Sequence, residues 1–133
     1  MPSPDELRAA LAAAREDFKS AVAEATARWD QAIGDEWSPR KAAEHVTGAE
    51  IYFATEVCKA CGYPGLDTMS PSFATANDGL IGFAEATAKS NGRLKYVSEK
   101  DLLMPHERMG SVADVMLMNV THLREHAAQI RGA

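Results

Sequence analysis

Two histidines stand four residues apart near the end of the chain, His122 and His126 in the stretch "VTHLREHAAQI" at 120–130. On an α-helix this spacing places both side chains on one face, about 40° apart. A third, His45, stands in "KAAEHVTGAE" at 41–50, which also has a helical pattern. Each of the three falls within the apolar arc of its helix. We therefore expect the three imidazoles to point inward and meet between the two helices.

Three neutral imidazoles at one point are typical of a metal site. Neutral imidazole is a common ligand of divalent first-row ions. Three histidines leave a fourth position free for water or substrate, as in catalytic zinc sites. An ion held in this way makes a bound water or thiol nucleophilic near neutral pH. His45, His122 and His126 are therefore the predicted metal ligands.

Each histidine taken alone has a simpler interpretation. A single inward histidine is more often a core residue that hydrogen-bonds to a neighbour. His126, in a last helical turn, would also interact favourably with the helix dipole when charged. Three together are harder to explain, because charged imidazoles repel and neutral ones each need a satisfied tautomer. A shared divalent ion resolves both problems.

Other polar residues could belong to this site or lie outside it. Tyr52 and Asn119 lie near the ligand arcs and could orient substrate or hold the second nitrogen of a ligand, or they could equally be polar-tipped core residues. Glu56 is on the same face as His45 but about 16 Å further along the helix. His106, in "MPHER", is predicted to be exposed in a connection.

The two cysteines, Cys58 and Cys61, form a C-x-x-C pattern. Redox pairs of this kind lie at a helix N-terminus, where the dipole lowers the thiol pKa. This pair lies at the end of a predicted helix, and no second pair completes a structural zinc site. About 140° of rotation and roughly 20 Å separate Cys58 from His45, so the cysteines are predicted to be packed or half-exposed thiols outside the metal site.

Capping signals predict where the first two helices begin. The first starts at "SPDE", with Ser3 as N-cap, and is predicted to end at Gly34. The second starts with Ser38 as N-cap and Pro39 at the first position, and ends before Gly62. Their predicted inward faces are Leu7, Leu11, Ala14, Phe18, Ala21, Ala25 and Trp29 in the first and Ala42, His45, Val46, Ala49, Tyr52, Phe53 and Ala60 in the second.

Two more helices complete the predicted fold. The third is capped at Asn77 or a nearby threonine and stops at Asn91–Gly92, and the fourth starts with Ser111 and Asp114 as a capping box. Their predicted inward faces are Leu80, Phe83, Ala84 and Thr87 in the third and Val112, Val115, Met116, Asn119, Leu123 and Ile130 in the fourth. Matching faces favour an all-α fold, a four-helix bundle spanning 1–133 as one domain. A long crossover with at most one helical turn precedes the last helix.

Charge and hydropathy narrow the classes of partner. The 133 residues carry a net charge of −5, and the basic residues form no cluster, which argues against a nucleic-acid partner. No apolar run approaches the ~20 residues of a membrane-spanning helix. The first residues, "MPSPDELRAA", lack a secretory signal pattern. We therefore expect a cytoplasmic protein.

Two segments resemble signatures of the DinB/YfiT-like family. In "EWSPRKAAEHVTGAE" (36–50), a tryptophan and a capping serine precede a helix whose histidine follows eight residues after the tryptophan. In "GSVADVMLMNVTHLREHAAQI" (110–130), the pattern His-x-x-x-His is followed by a glutamine. Position by position, the resemblance implies that His45, His122 and His126 are the metal triad of that family.

The resemblance also implies a fold and a range of activities. It implies a four-helix bundle, commonly a homodimer, that holds zinc, nickel, iron or manganese. Several relatives are thiol-dependent transferases or isomerases that use a small cellular thiol such as bacillithiol, mycothiol or glutathione, and others have no assigned activity. The leading hypothesis is a metal-dependent enzyme acting on a small electrophilic molecule with a thiol or water. The alternatives are a non-catalytic metal- or ligand-binding module and a protein whose histidines are only polar core groups.

Overall fold

The computed structural model of the protein describes residues 2–132, which are mostly helical. The helices are α1 (Pro4–Glu24), α2 (Pro39–Cys61), α3 (Ala76–Leu94), α4 (Glu99–Leu102) and α5 (Val112–Ile130), with a 3₁₀ turn at Thr26–Arg28. Strands β1 (Pro105–His106) and β2 (Gly110–Ser111) pair antiparallel. The predicted all-α class is therefore confirmed, with this small hairpin as an addition. Among the described helices, none has both the length and the apolar character needed to cross a bilayer.

The starts of all four long helices follow from capping chemistry. In each, an N-cap hydroxyl accepts a hydrogen bond from the backbone N–H three residues further on, which satisfies a donor that has no partner within the helix. The N-cap residues are Ser3, Ser38, Thr75 and Ser111. Three of these were predicted outright, and for α3 the cap is the threonine and not Asn77.

Two helix ends differ from the sequence prediction. Helix α1 stops at Glu24 and not at Gly34. The chain then turns so that Trp29 can donate a hydrogen bond from its indole to the carbonyl oxygen of Phe73, at 2.9 Å. Helix α3 continues through Asn91–Gly92 to Leu94, because the packing of its last turn outweighs the low helix propensity of that pair. The end of α2 is as predicted, with Gly62 in the left-handed region at φ 77°.

The inward face of α3 is formed partly by glycines. A Cβ at Gly82 would collide with the ring of Phe73, and one at Gly79 would lie 3.0 Å from the ring of Trp29. Of the predicted stripe only Phe83 is buried, and the buried positions are Ala76, Gly79, Gly82, Phe83, Ala86, Ser90 and Leu94. The two glycines, which weaken the helical pattern in the sequence, are therefore the places where aromatic rings approach the backbone.

The four long helices pack in a closed cycle. Helix α1 contacts α5, α5 contacts α2, α2 contacts α3, and α3 contacts α1. Their inward faces form one hydrophobic core, in which the rings of Phe18 and Phe83 lie 5.0 Å apart. The whole predicted face of α5 is buried, from Val112 to Ile130. The predicted crossover after α3 contains the single turn α4, as expected, and the β1–β2 hairpin, which was not predicted.

A buried polar network joins all four long helices. Arg15 on α1 forms a bidentate ion pair with Glu50 on α2, with N···O distances of 2.7 and 3.0 Å. The same guanidinium donates to Ser90 on α3, and Asn119 on α5 donates to the Glu50 carboxylate at 3.3 Å. Glu50 is completely buried. Arg15 also donates to Asn91 of α3, so each helix contributes at least one polar residue to a network whose charges are paired and hydrogen-bonded.

Replacing Arg15 with methionine should destabilise the protein strongly. The variant leaves the Glu50 carboxylate buried without its cation, which typically costs about 3–5 kcal/mol. The free energy of unfolding, measured by urea denaturation, reports the loss. Lys19→Met is the matched control, because Lys19 lies on the same helix in an exposed pair with Glu16, and it should change stability little. Equal stability of the two variants would contradict a central role for the network.

Candidate metal centre

Three imidazole rings meet between α2 and α5. Nε2 of His122 lies 3.0 Å from Nε2 of His45 and 3.1 Å from Nε2 of His126. One potential ligand atom from each residue can be chosen so that all three lie within 4.8 Å of one another. The sequence prediction that these residues come together is therefore confirmed, although they stand 77 residues apart in the chain.

The meeting point lies at the surface and not in the interior. His45 is exposed, and His122 and His126 are half-buried. The predicted inward face of α2 was wrong by roughly 70° of rotation, since Tyr52 is 42% exposed whereas the acidic Glu50 is fully buried. The ion pair of Glu50 turns a polar residue inward, and hydropathy alone places such a residue outside.

Aromatic rings surround the three histidines. The ring of Trp37 lies 5.0 Å from that of His45, edge-on, and is stacked at 6.1 Å on that of His126 with an interplanar angle of 5°. Phe53 packs edge-on against His122 at 5.6 Å. These contacts restrict ring rotation, so the nitrogen atoms are held in place before any ligand binds.

Burial and mutual repulsion favour the neutral forms of His122 and His45. The pKa of His122 is lowered to about 4, first by burial and then by the neighbouring His126 and His45. The pKa of His45 is also lowered, by burial and by His126. A neutral imidazole has a free lone pair for a metal, and a protonated one has none. The environment of His122 and His45 therefore favours the protonation state that a metal requires of them.

The second nitrogens of the two α5 histidines have different environments. Nδ1 of His126 lies 2.7 Å from Oε1 of Gln129, one turn further along α5. Nδ1 of His122 is buried and has no hydrogen-bond partner among residues 2–132. The first contact had a signal in the sequence, since positions three apart on a helix face each other. The sequence prediction named only the histidines and did not include the contact between His126 and Gln129.

Tyr52 and Asn119 do not hydrogen-bond to the three histidines. The hydroxyl of Tyr52 accepts a hydrogen bond from Arg108 at 3.0 Å. The amide of Asn119 donates to Glu50. Asn119 is therefore a polar residue of the core, which is the alternative interpretation given above. A role for Tyr52 in orienting a substrate stays a prediction.

Two surface clefts adjoin the site. One, of about 590 Å³, contains His45 and Tyr52 and lies between α2 and the connection that follows it. That connection crosses α2 between two anchors: the Leu66 N–H donates to the Thr55 hydroxyl, and the Phe73 N–H donates to the Glu44 carboxylate. The other cleft, of about 630 Å³, contains His126 and lies near the end of α5. Small molecules can therefore reach the histidines from two sides.

His106 is buried and takes no part in the triad, so its predicted exposure was wrong. Its Nε2 lies 2.9 Å from Glu56. Its Nδ1 accepts hydrogen bonds from the backbone N–H groups of Arg108 and Met109. A nitrogen that accepts carries no proton, so Nε2–H is the donor to the carboxylate. The pair fastens the β1–β2 hairpin to α2.

The two cysteines are free thiols, as predicted, with Cys58 buried and Cys61 half-buried. Burial raises the pKa of both thiols, and the pKa of Cys61 reaches about 11, with Asp101 and Cys58 adding to the effect. A raised pKa suppresses the reactive thiolate. The pair therefore lacks the electrostatic environment of a redox-active site.

The three imidazoles fit a divalent metal ion. With metal–nitrogen bonds of 2.0–2.1 Å, three ligands of a tetrahedral zinc ion are separated by about 3.3–3.4 Å. The two Nε2···Nε2 distances to His122 are 3.0 and 3.1 Å, within a few tenths of an ångström of that separation. The donor set is three imidazole nitrogens that open to solvent at His45. These features match a site with an exchangeable position.

Comparison of the chain with protein-family models, with curated proteins and with solved structures found no match. The candidate site is therefore defined by the geometry of His45, His122 and His126 and by the two sequence segments that carry them.

After removal of metal by a chelator, the protein should lose stability as the pH falls from about 6.5 to about 4. In the unfolded chain His122 takes up a proton near its ordinary pKa of 6.5, whereas in the folded protein it does so only near 4. Acid in this window therefore favours the unfolded state. The melting temperature, measured across this range, should fall less steeply in His122→Gln. Identical slopes in the two proteins would contradict the lowered pKa.

Cys61 should alkylate slowly at pH 8. With a pKa of about 11, its thiolate fraction is about a hundredfold below that of an unperturbed thiol with a pKa near 9. Iodoacetamide labelling at Cys61, followed by peptide mass spectrometry, measures the rate. The same protein unfolded in urea at pH 8 is the reference, and equal rates in both states would refute the raised pKa.

Proposed function

We propose that this protein is a metal-dependent enzyme of the DinB/YfiT-like type, in which His45, His122 and His126 bind one divalent ion. The convergence of three Nε2 atoms at the surface supports this most directly. The cyclic packing of four long helices is what a four-helix bundle of that type requires. The proposal includes zinc, nickel, iron or manganese as the ion.

Each residue near the site has a defined part in this proposal. The three histidines supply ligands and leave a position open beside the exposed His45. A divalent ion there would make a coordinated thiol or water nucleophilic near neutral pH. Trp37 packs against the rings of His45 and His126 and would help to hold their orientation. The hydroxyl of Tyr52, in the cleft next to His45, is available to contact a substrate.

The cleft indicates a small-molecule substrate. Its volume of about 590 Å³ falls within the range typical of small-ligand sites. Apolar side chains of Ile51, Leu66 and Met69 line it together with His45. We propose a small electrophilic substrate that is attacked by a low-molecular-weight thiol or by water. The proposal also includes a homodimer, which the family resemblance implies, and a cytoplasmic location, which is the expectation from the sequence pattern.

Replacing the three histidines together with asparagine should abolish metal binding. The wild-type protein, purified without added metal, should contain about one divalent ion per chain by elemental analysis, and the triple variant none. His45→Asn alone tests the same point with little risk to folding, because His45 is exposed. Circular dichroism establishes that the variants are folded. A triple variant that retains stoichiometric metal would refute the ligand assignment.

An activity screen separates an enzyme from a binding module. The metal-loaded protein is incubated with small thiols and electrophilic substrates, and with hydrolysable esters and amides, while product formation is followed. Turnover that disappears in His45→Asn supports the enzyme. Stoichiometric metal binding without turnover in any arm supports a non-catalytic metal-binding module instead.

A further inference from the structure

A short turn before α2 reaches the candidate metal centre through a glutamine. Residues 33–36 form a tight turn, in which the Glu36 N–H donates to the Ile33 carbonyl at 2.8 Å and Gly34 has a φ of 61°. The left-handed conformation at this position suits glycine. The turn directs the Glu36 carboxylate toward α5, where it accepts a hydrogen bond from Nε2 of Gln129 at 3.2 Å.

The Glu36 carboxylate, as a hydrogen-bond acceptor, determines the orientation of the Gln129 amide. A carboxylate only accepts hydrogen bonds, so the NH₂ group of Gln129 must face Glu36. The amide oxygen then faces Nδ1 of His126, at 2.7 Å. A reversed amide would place its oxygen against the carboxylate, with two acceptors in contact.

The orientation of the amide in turn determines the tautomer of His126. The amide oxygen can only accept, so Nδ1 of His126 must carry the proton and donate it. Its Nε2 is then left with a free lone pair, and this is the atom that lies 3.1 Å from Nε2 of His122. A partner that holds the proton of the remote nitrogen also raises the basicity of the ligating nitrogen.

We infer that Glu36 and Gln129 are positioning residues, which form a hydrogen-bond relay that holds His126 in its metal-binding tautomer. The inference rests on the proposed function, because it treats His126 as a metal ligand. The relay itself is a property of the metal-free protein. Glu36 acts through Gln129 and not through its own charge at the site.

The tautomer can be measured without metal. In metal-free wild-type protein, ¹⁵N NMR of the histidine rings should show the proton of His126 on Nδ1. In Gln129→Leu the acceptor is gone, so the proton should move to Nε2 in most molecules. A proton on Nε2 in the wild type, or an unchanged tautomer in Gln129→Leu, would overturn the relay.

Metal affinity tests whether Glu36 affects His126 through Gln129. The Kd for Zn²⁺ is measured by competition with a chromophoric chelator. Gln129→Leu should weaken binding by about 10–100-fold, which is typical for the loss of a residue that supports a ligand, and Glu36→Ala by less. Glu36→Gln, which keeps an acceptor, should bind more tightly than Glu36→Ala. Adding Glu36→Ala to Gln129→Leu should have no further effect, because Glu36 acts only through the amide.

A neighbouring carboxylate provides the control for charge. Glu125 lines the same cleft as Glu36 and His126, so Glu125→Gln removes a nearby negative charge without touching the relay. If Glu36→Ala only matches Glu125→Gln, or if its effect adds fully to that of Gln129→Leu, Glu36 acts as a charge and the inference is wrong. A wild-type protein that binds no Zn²⁺ refutes the proposed function instead, and the NMR measurement still decides on the relay.

Discussion

The ion pair between Arg15 and Glu50 determines how the long helices face one another. A fully buried carboxylate is tolerated only with a cation and hydrogen-bond donors around it, and here the donors come from α1 and α5, with Ser90 of α3 bound to the same guanidinium. This requirement fixes the rotation of α2 about its axis. Because Glu50 must face inward, His45 lies at the edge of the helix and reaches the seam with α5. The position of the candidate metal centre thus depends on a pair of charges in the core.

Three segments form the candidate site, of which two are helices and one is a turn. Helix α5 supplies a histidine pair whose spacing is set by helical geometry, and α2 supplies the third ring across the seam. The turn at 33–36 and Trp37, which follows it, are not helical. Trp37 contacts the rings of His45 and His126, and the turn reaches His126 only through Gln129. Rigid helices place the ligands, and the short turn acts on the tautomer of His126 through that glutamine. Burial, together with the neighbouring His126 and His45, lowers the pKa of His122.

Sequence reasoning succeeded where local rules decide the outcome and failed where tertiary contacts do. Capping residues predicted the N-termini of the long helices, and the pair at 122 and 126 needed only the helical period. The phase of α2 was wrong because a buried Glu50 contradicts hydropathy. The face of α3 was wrong because Gly79 and Gly82 pack against rings that lie elsewhere in the sequence. The burial of His106 followed from a hairpin too short to show a strand pattern. The contact between Gln129 and His126 could have been predicted from the sequence, because positions three apart on a helix face each other.

The connection that crosses α2 beside His45 is fastened at Leu66 and at Phe73, and the residues between these anchors form the outer wall of the cleft. Neither anchor hydrogen-bonds to the imidazoles, and the intervening residues contribute only Phe73, at the far anchor, to the hydrophobic core. Substitutions between the anchors can therefore reshape the wall while leaving folding and ligand geometry intact. The shape of the cleft beside His45 is therefore separable from the arrangement of the three imidazoles, because, apart from His45 itself, different residues form the two.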